Sequence, residues 1–252
     1  MKVMRHQIWS SGGGVQSAAV AALICKGDIA PPDLAVIVDT EREMSTTWKY
    51  MDEVIVPALS KVGVTLHRVP KSLYATVDLM GGKEGNDILI PAFTTQSGEP
   101  GKLPTFCSNE WKSRVARRWA VDQGVKEGTF WMGFSIDELR RVKVVSGKWQ
   151  NRFPLIEKRL NRNDCIALVE RMGWPTPPRS SCWMCPNHNH DEWQWIKENA
   201  PEDFKKAADF EQQIRIIDPD LWLSDTGKLI TESDYSQPDD LLSFCKSGEC
   251  FV

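Results

Sequence analysis

The sequence predicts a doubly wound α/β fold built on a mainly parallel sheet, followed by a Cys-rich, mostly helical C-terminal appendage. Three observations carry this. Short apolar, β-branched runs alternate with stretches of helical period from residue 6 to residue 134, the pattern of strands buried between helical layers. A glycine cluster follows the first strand directly. Near residue 163 the alternation stops, and a Pro-rich turn, a Cys/His-rich knot and an acidic tail take over. The expected division is therefore an α/β domain over 1–162 and a Cys-rich region with its tail over 163–252.

The elements follow in order. His6–Trp9 reads as a strand that runs into SSGGGVQS, and Ala18–Cys25 as a buried helix closed by Gly27. Leu34–Val38 is a continuous apolar run, as expected for a strand covered on both faces. Thr46–Leu59 has helical period, with Trp48, Met51, Ile55 and Leu59 on one side. Val64–Val69 is a third strand, Lys112–Gln123 a basic amphipathic helix, and Thr129–Phe134 a further buried strand. Gly81–Phe106 has no clear period and reads as a long loop. Asp164–Met172 is helical, Pro175, Pro177 and Pro178 make a turn, and Asp191–Gln213 is an amphipathic helical region. Sheets of this class take ligands at the carboxyl ends of their strands.

The chain has 252 residues, 41% hydrophobic and 26% charged, which excludes disordered, collagen-like and coiled-coil classes. No apolar run approaches the roughly 20 residues of a membrane span. The opening MKVMRHQIWSSGGG reaches glycine too early for a signal peptide. The expectation is a cytoplasmic protein without a membrane partner, its oligomeric state open. In that compartment seven cysteines point to metal or redox chemistry ahead of disulfides. The net charge of −3 conceals an asymmetry. Residues 102–162 hold 14 Lys+Arg against 6 Asp+Glu, and residues 191–252 hold 6 against 15. A basic middle suits an anionic ligand such as a nucleotide, a sulfate ester or a nucleic-acid backbone, although solvated helix faces give the same count. A pI near 5.9 speaks against non-specific nucleic-acid binding.

Ser10-Ser11-Gly12-Gly13-Gly14-Val15-Gln16-Ser17 lies between a strand and a helix. Glycines let the backbone approach an anion, the helix start offers unpaired N–H groups, and Ser10, Ser11 and Ser17 add hydroxyls. A tight turn alone would also use three glycines. The segment has neither the Lys of a Walker loop nor dinucleotide spacing. It resembles the PP-loop of the adenine-nucleotide α-hydrolase superfamily, with Gln16 where many members have Asp. Asp39-Thr40 and Asp52-Glu53, in VDTEREMSTTWKYMDEV, resemble the second-strand segment of the phosphoadenosine phosphosulfate (PAPS) reductase family, Glu41 standing for that family's Gly. Cys107 with Lys112 resembles the Cys-x-x-x-x-Lys of its iron–sulfur members. Gly133-Phe134-Ser135-Ile136-Asp137-Glu138 with Arg140 and Arg141 resembles its nucleotide-side Gly-x-x-x-Asp-Glu-x-x-Arg. The resemblance covers roughly residues 5–190 and implies an adenine nucleotide (PAPS, adenosine phosphosulfate or ATP). It would be held by the loop residues, Asp39, Thr40, Gly133 and Asp137. Lys112, Arg140 and Arg141 would meet the charged oxygens. For Asp137 and Glu138 a helix-capping role is equally open.

Cys182-Trp-Met-Cys185-Pro-Asn-His188-Asn-His190 places two thiols on one turn, near enough for a single metal or cluster. Two further ligands are needed, and Cys107 and Cys165 are the candidates. In the iron–sulfur reductases a cysteine segment precedes a Cys-x-x-Cys by a comparable stretch; here Cys107 and Cys182 are 75 positions apart. The resemblance thus implies a [4Fe-4S] cluster on Cys107, Cys165, Cys182 and Cys185. Zinc on Cys182, Cys185 and His188 or His190 is the competitor. A thioredoxin-like redox pair fits poorly beyond the sheet, and Cys25 reads as core.

Near the end, Glu249-Cys250 resembles the first two residues of the reductases' Glu-Cys-Gly-x-His, which implies Cys250 as nucleophile; Phe251 and Val252 depart from it. Cys245 and Cys250 could equally be a metal or redox pair. Three functions follow. One is thiol-dependent reduction of PAPS or adenosine phosphosulfate to sulfite, with an external dithiol such as a thioredoxin as reductant. The second is ATP-dependent thiolation of a nucleobase or of DNA, as in tRNA-thiolation and DNA-phosphorothioation enzymes, and only here is nucleic acid a partner. The third is a non-catalytic nucleotide-binding subunit with a structural cluster.

Overall fold

A computed structural model of the chain describes residues 5–77 and 91–235. The first elements are β1 (His6–Ser11), α1 (Val15–Lys26), β2 (Leu34–Asp39), α2 (Ser45–Tyr50), α3 (Val56–Ser60) and β3 (Leu66–Pro70). Then come β4 (Phe93–Thr94), β5 (Gly101–Lys102), α4 (Arg114–Asp122), β6 (Gly128–Trp131) and β7 (Trp149–Arg152). The last are α5 (Pro154–Glu157), α6 (Arg162–Arg171), α7 (His190–Asn199), α8 (Pro201–Ile217) and β8 (Leu221–Trp222). Among the described residues no helix is long and apolar enough to cross a membrane.

The chain forms two compact units, residues 1–75 with 111–180, and residues 76–110 with 181–252. The first is a five-stranded sheet in the order β3-β2-β1-β6-β7, parallel throughout. One face is covered by α1, α3, α5 and α6, which enclose Trp9, Ile37, Trp131, Cys165 and Leu168. On the other, α4 packs Val115, Ala116 and Trp119 over Ile8, Val36 and Phe130. This is the doubly wound α/β arrangement read from the alternation. α1 is buried almost all round, as its alanine-rich sequence requires, and it ends at Gly27 with φ +76°. The order reverses at β1, so the carboxyl ends of β1 and β6 flank a crevice.

Several features differ from the expectation. The helix read over Thr46–Leu59 is two α segments joined by a wider π turn at Met51–Ile55. Pro57 has no N–H to return to Glu53, so the regular ladder cannot run through. β7 was not legible, because WQNR is a half-buried edge strand without an apolar run. The expected boundary at 163 also moves. The face of α6 that carries Cys165, Leu168 and Val169 is fully buried in the core with α1, so α6 stays with the sheet and the first unit runs on to Ser180.

The second unit contains α7, α8 and a small antiparallel sheet, β5-β4-β8. Its two-residue strands β4 and β5 fall within the stretch read as loop; they are too short to leave a period. α7 opens with a capping box, Asn189 and Glu192 each bonding the other's backbone N–H. Glu211, buried in α8, accepts the N–H groups of Leu223 (2.9 Å) and Ile230 (2.8 Å) and so fastens the segment after the helix. Burial pushes its carboxyl pKa up against those two bonds.

Candidate functional site

The site is built at the carboxyl end of the sheet in the first unit. β1 delivers Ser10 and Ser11 to the end of the strand, and the chain turns through Gly12–Gly14 into α1. Gly13 has φ +81°, in the left-handed region. A Cβ there would lie 2.9 Å from Thr47 Cγ2 and 3.2 Å from Ser180 Oγ, so both conformation and space demand glycine. The loop bonds to itself. Gly12 N–H donates to Ser17 Oγ (2.7 Å) and Gly13 N–H to Ser11 Oγ (3.3 Å). Gly133, past the end of β6, lies against Gln16 and Ser17. Ser10, Ser11, Gly12, Gly13, Gly14, Gln16, Ser17 and Gly133 are thus one neighbourhood at the N-terminal end of a twelve-residue helix, a ready place for an anion.

Gln16 reaches across to the segment after β6. Its Nε2 donates to Glu138 Oε2 at 2.7 Å, and Glu138 in turn pairs with Arg141. The Arg141 guanidinium also lies 4.4 Å from the Phe134 ring centroid. Asp137 takes a different role. Its Oδ2 accepts the N–H of Arg162 (2.5 Å) and faces Ser135 Oγ (3.3 Å), supplying a partner to the first N–H of α6. Arg140 is exposed.

At the end of β2, Asp39 is already engaged. Oδ1 accepts the Glu41 N–H (2.7 Å), while Oδ2 takes Arg68 Nε (2.9 Å) and Nη2 (2.7 Å). Arg68 stacks on Trp48 at 3.5 Å. Thr40 is buried. Glu41 adopts φ +59°, the backbone a glycine would take, and its carboxylate is held by Ser72 Oγ (2.5 Å) and Lys71 Nζ (3.4 Å).

Two site residues were missed from the sequence. Glu43 is a buried carboxylate facing Lys112 Nζ at 3.5 Å, and it accepts from Ser180 Oγ at 2.7 Å. The same Ser180 hydroxyl lies within hydrogen-bond reach of the Gly12 carbonyl. A single proton cannot serve both acceptors, so Ser180 can switch between loop and carboxylate. Ser180 stands beside the cysteine knot in sequence, which hid its link to a loop 168 positions away.

The cysteines divide. Cys165 is fully buried among apolar side chains, and desolvation, aided by Asp164 and Asp137, pushes its thiol up to about 12. That environment keeps the metal-free thiol neutral. In the second unit Cys182 and Cys185 sit on one turn closed by Cys185 N–H to Cys182 O (3.0 Å), followed by His188 N–H to Cys185 O (3.2 Å). The His188 ring meets the Cys182 carbonyl through Nε2 at 3.0 Å; a carbonyl only accepts, so the proton lies on Nε2. His190 Nε2 faces Asp225 Oδ1 at 3.0 Å. Both rings thus turn a nitrogen to a protein acceptor. Cys107 is half-buried in the second unit. Among the described residues no three His, Cys, Asp or Glu side chains gather as metal ligands would. Cys182 and Cys185 fit two positions of a metal site; Cys107 belongs to the same unit, whereas Cys165 belongs to the first. Cys245 and Cys250 lie outside the described residues.

No protein-family model matches the chain, and no curated protein sequence matches it. Among solved structures it is similar to a phosphoadenylyl-sulfate (PAPS) reductase from Candida auris, in a phosphate complex. That match has a TM-score of 0.46 and 15% identity over 72% of this chain and 83% of the other. It is also similar to the U34-tRNA thiolase of Methanococcus maripaludis with its [4Fe-4S] cluster. There the TM-score is 0.42 and the identity 13%, over 99% of this chain and 83% of the other.

Proposed function

We propose that the first unit binds an adenine sulfonucleotide through its glycine loop and that the protein reduces it with thiols. The observation that carries the reading is the loop itself: a glycine turn at the strand-order reversal, fixed by Ser11 and Ser17, opening onto the start of α1. Phosphate and sulfate oxygens would take the N–H groups there, with Lys112, Arg140 and Arg141 offsetting the negative charge. The Cys250 thiolate would attack the sulfonyl sulfur, forming an S–S bond as the S–O bond to the nucleotide phosphate breaks. An external dithiol would then reduce that bond. It leaves as a disulfide, two electrons go to sulfur, and sulfite departs.

A second reading has the loop take ATP and adenylate a nucleobase or nucleic-acid phosphate before sulfur transfer. The cationic stretch 139–148 on the same unit favours it. Calorimetric titration with PAPS, adenosine phosphosulfate, ATP and inorganic phosphate tests both. Preference for a sulfonucleotide with sulfite release supports the first, and pyrophosphate release from ATP the second. No binding of any of the four refutes the loop assignment.

A further inference from the structure

The connection from β6 to β7 is unusual for this sheet. The two strands are parallel, Gly128 opposite Trp149, so the chain must return from the carboxyl edge of the sheet to its opposite edge. Such a crossover is ordinarily a helix. Here a short 3₁₀ stretch at Ile136–Arg141 gives way to residues 142–148 without helix or strand. Leu139–Lys148, LRRVKVVSGK, holds four cations and no acid. Arg140, Arg141, Lys143 and Lys148 are all exposed, and Val144 between them is 93% exposed.

The root of this arm is anchored. Arg5 Nη1 donates to the Gly147 carbonyl (2.6 Å), Asn151 Nδ2 to the Lys143 carbonyl (3.2 Å), and Gly128 N–H to the Lys148 carbonyl (3.0 Å). The exposed Arg117 of α4 adds a cation over the Trp149 ring, 5.7 Å from its centroid. Acids near the arm are paired: Glu138 with Arg141, and Glu127 with Arg5 at 3.8 Å. The arm's upper end meets the glycine loop through Glu138 and Gln16.

We propose that this arm binds the phosphate backbone of a nucleic-acid strand and leads it along the sheet edge to the glycine-loop site. Four exposed cations spaced along one segment without an acid match a repeating phosphate chain. An acidic protein surface, which would also cover the exposed Leu139, Val144 and Val145, is the competing occupant, and the polyglutamate arm of the test below answers for it. The inference deepens the second reading and rests on it for what the bound strand is for.

The test is fluorescence anisotropy of the full chain with labelled single-stranded DNA, single-stranded RNA, duplex DNA and polyglutamate across a salt series. The expected result is salt-dependent binding to at least one nucleic acid and none to polyglutamate. K143E/K148E should weaken it about tenfold or more and flatten the log–log salt slope by roughly 1.4–1.8, two phosphate contacts' worth. Nucleotide titration of the same variant is expected to match the wild type, showing an intact fold and loop. Absence of nucleic-acid binding, an unaltered K143E/K148E, or equal binding of polyglutamate overturns the proposal. If the oligonucleotide binds but ATP does not, the second reading falls and the arm stands; the opposite pattern removes the arm alone.

Discussion

Gly13→Ala concentrates two separate costs in one methyl group. The backbone at φ +81° disfavours any L side chain by about 1–2 kcal/mol. The added Cβ would stand 2.9 Å from Thr47 Cγ2, and Thr47 is fully buried on α2 with nowhere to retreat. Overpacking of that kind costs about 1–3 kcal/mol. The sum, about 2–5 kcal/mol, lowers Tm by roughly 4–20 °C in a chain of this size. Urea denaturation of wild type, G13A, T47S and the double variant separates the parts. T47S deletes the clashing methyl, so the double variant recovers the steric part and retains the conformational part. Nucleotide affinity should fall in G13A, because the loop must shift to relieve the contact. A G13A protein within about 0.5 kcal/mol of wild type, or one that T47S does nothing to rescue, refutes the geometry described for the loop.

Other outcomes follow from the same neighbourhood. Gln16→Asp places a second carboxylate against Glu138, now 2.7 Å from Gln16 Nε2. The repulsion raises the carboxyl pKa values in the folded state, so stability lost at about pH 8 returns towards about pH 5, and E138Q should restore it. Ser180→Ala leaves buried Glu43 without its hydroxyl partner and should cost about 1–3 kcal/mol by urea denaturation. Cys165, held up to about 12 from an ordinary 9.0, stays protonated in the folded state while the unfolded chain ionises. Its contribution is therefore full below pH ~9 and is lost as pH rises towards ~12, at up to about 1.4 kcal/mol per unit. Cys165→Ala should flatten that limb, compared between pH ~9 and ~10, before Tyr50 and Tyr235 join it. Iodoacetamide at pH ~8 should label Cys182 and Cys185 well before Cys165; equal labelling would contradict its burial.

The strands β1, β2, β3 and β6 were legible because buried parallel strands are written as apolar runs. The glycine loop was legible because three glycines set between a strand and a helix write the turn directly into the chain. β7 and the two-residue strands β4 and β5 were not, since polar edge residues and very short pairings leave no period. Gly12, Gly13, Gln16, Ser17 and Gly133 lie together at the start of α1. The boundary at 163 went astray because a proline-rich turn looks like a linker, while the packing of α6 depends on a surface of α1 far away in sequence. Glu43 and Ser180 escaped for the same reason: an acid in EREMS and a serine in PRSSC acquire meaning only when the fold brings them to Gly12. Cys165 shows the converse, because spacing registers a cysteine but not the apolar shell that keeps its thiol neutral.

Glu41 bears on how such sites are recognised. A left-handed backbone at this point is what glycine supplies, yet here a glutamate takes it at φ +59°, its side chain tethered to Ser72 and Lys71. What the end of β2 demands is thus a backbone angle and not an empty side-chain volume, and a tethered residue satisfies it at a modest conformational cost. A search pattern that insists on glycine there passes over chains that reach the same turn by other means, and one written in backbone angles would find them.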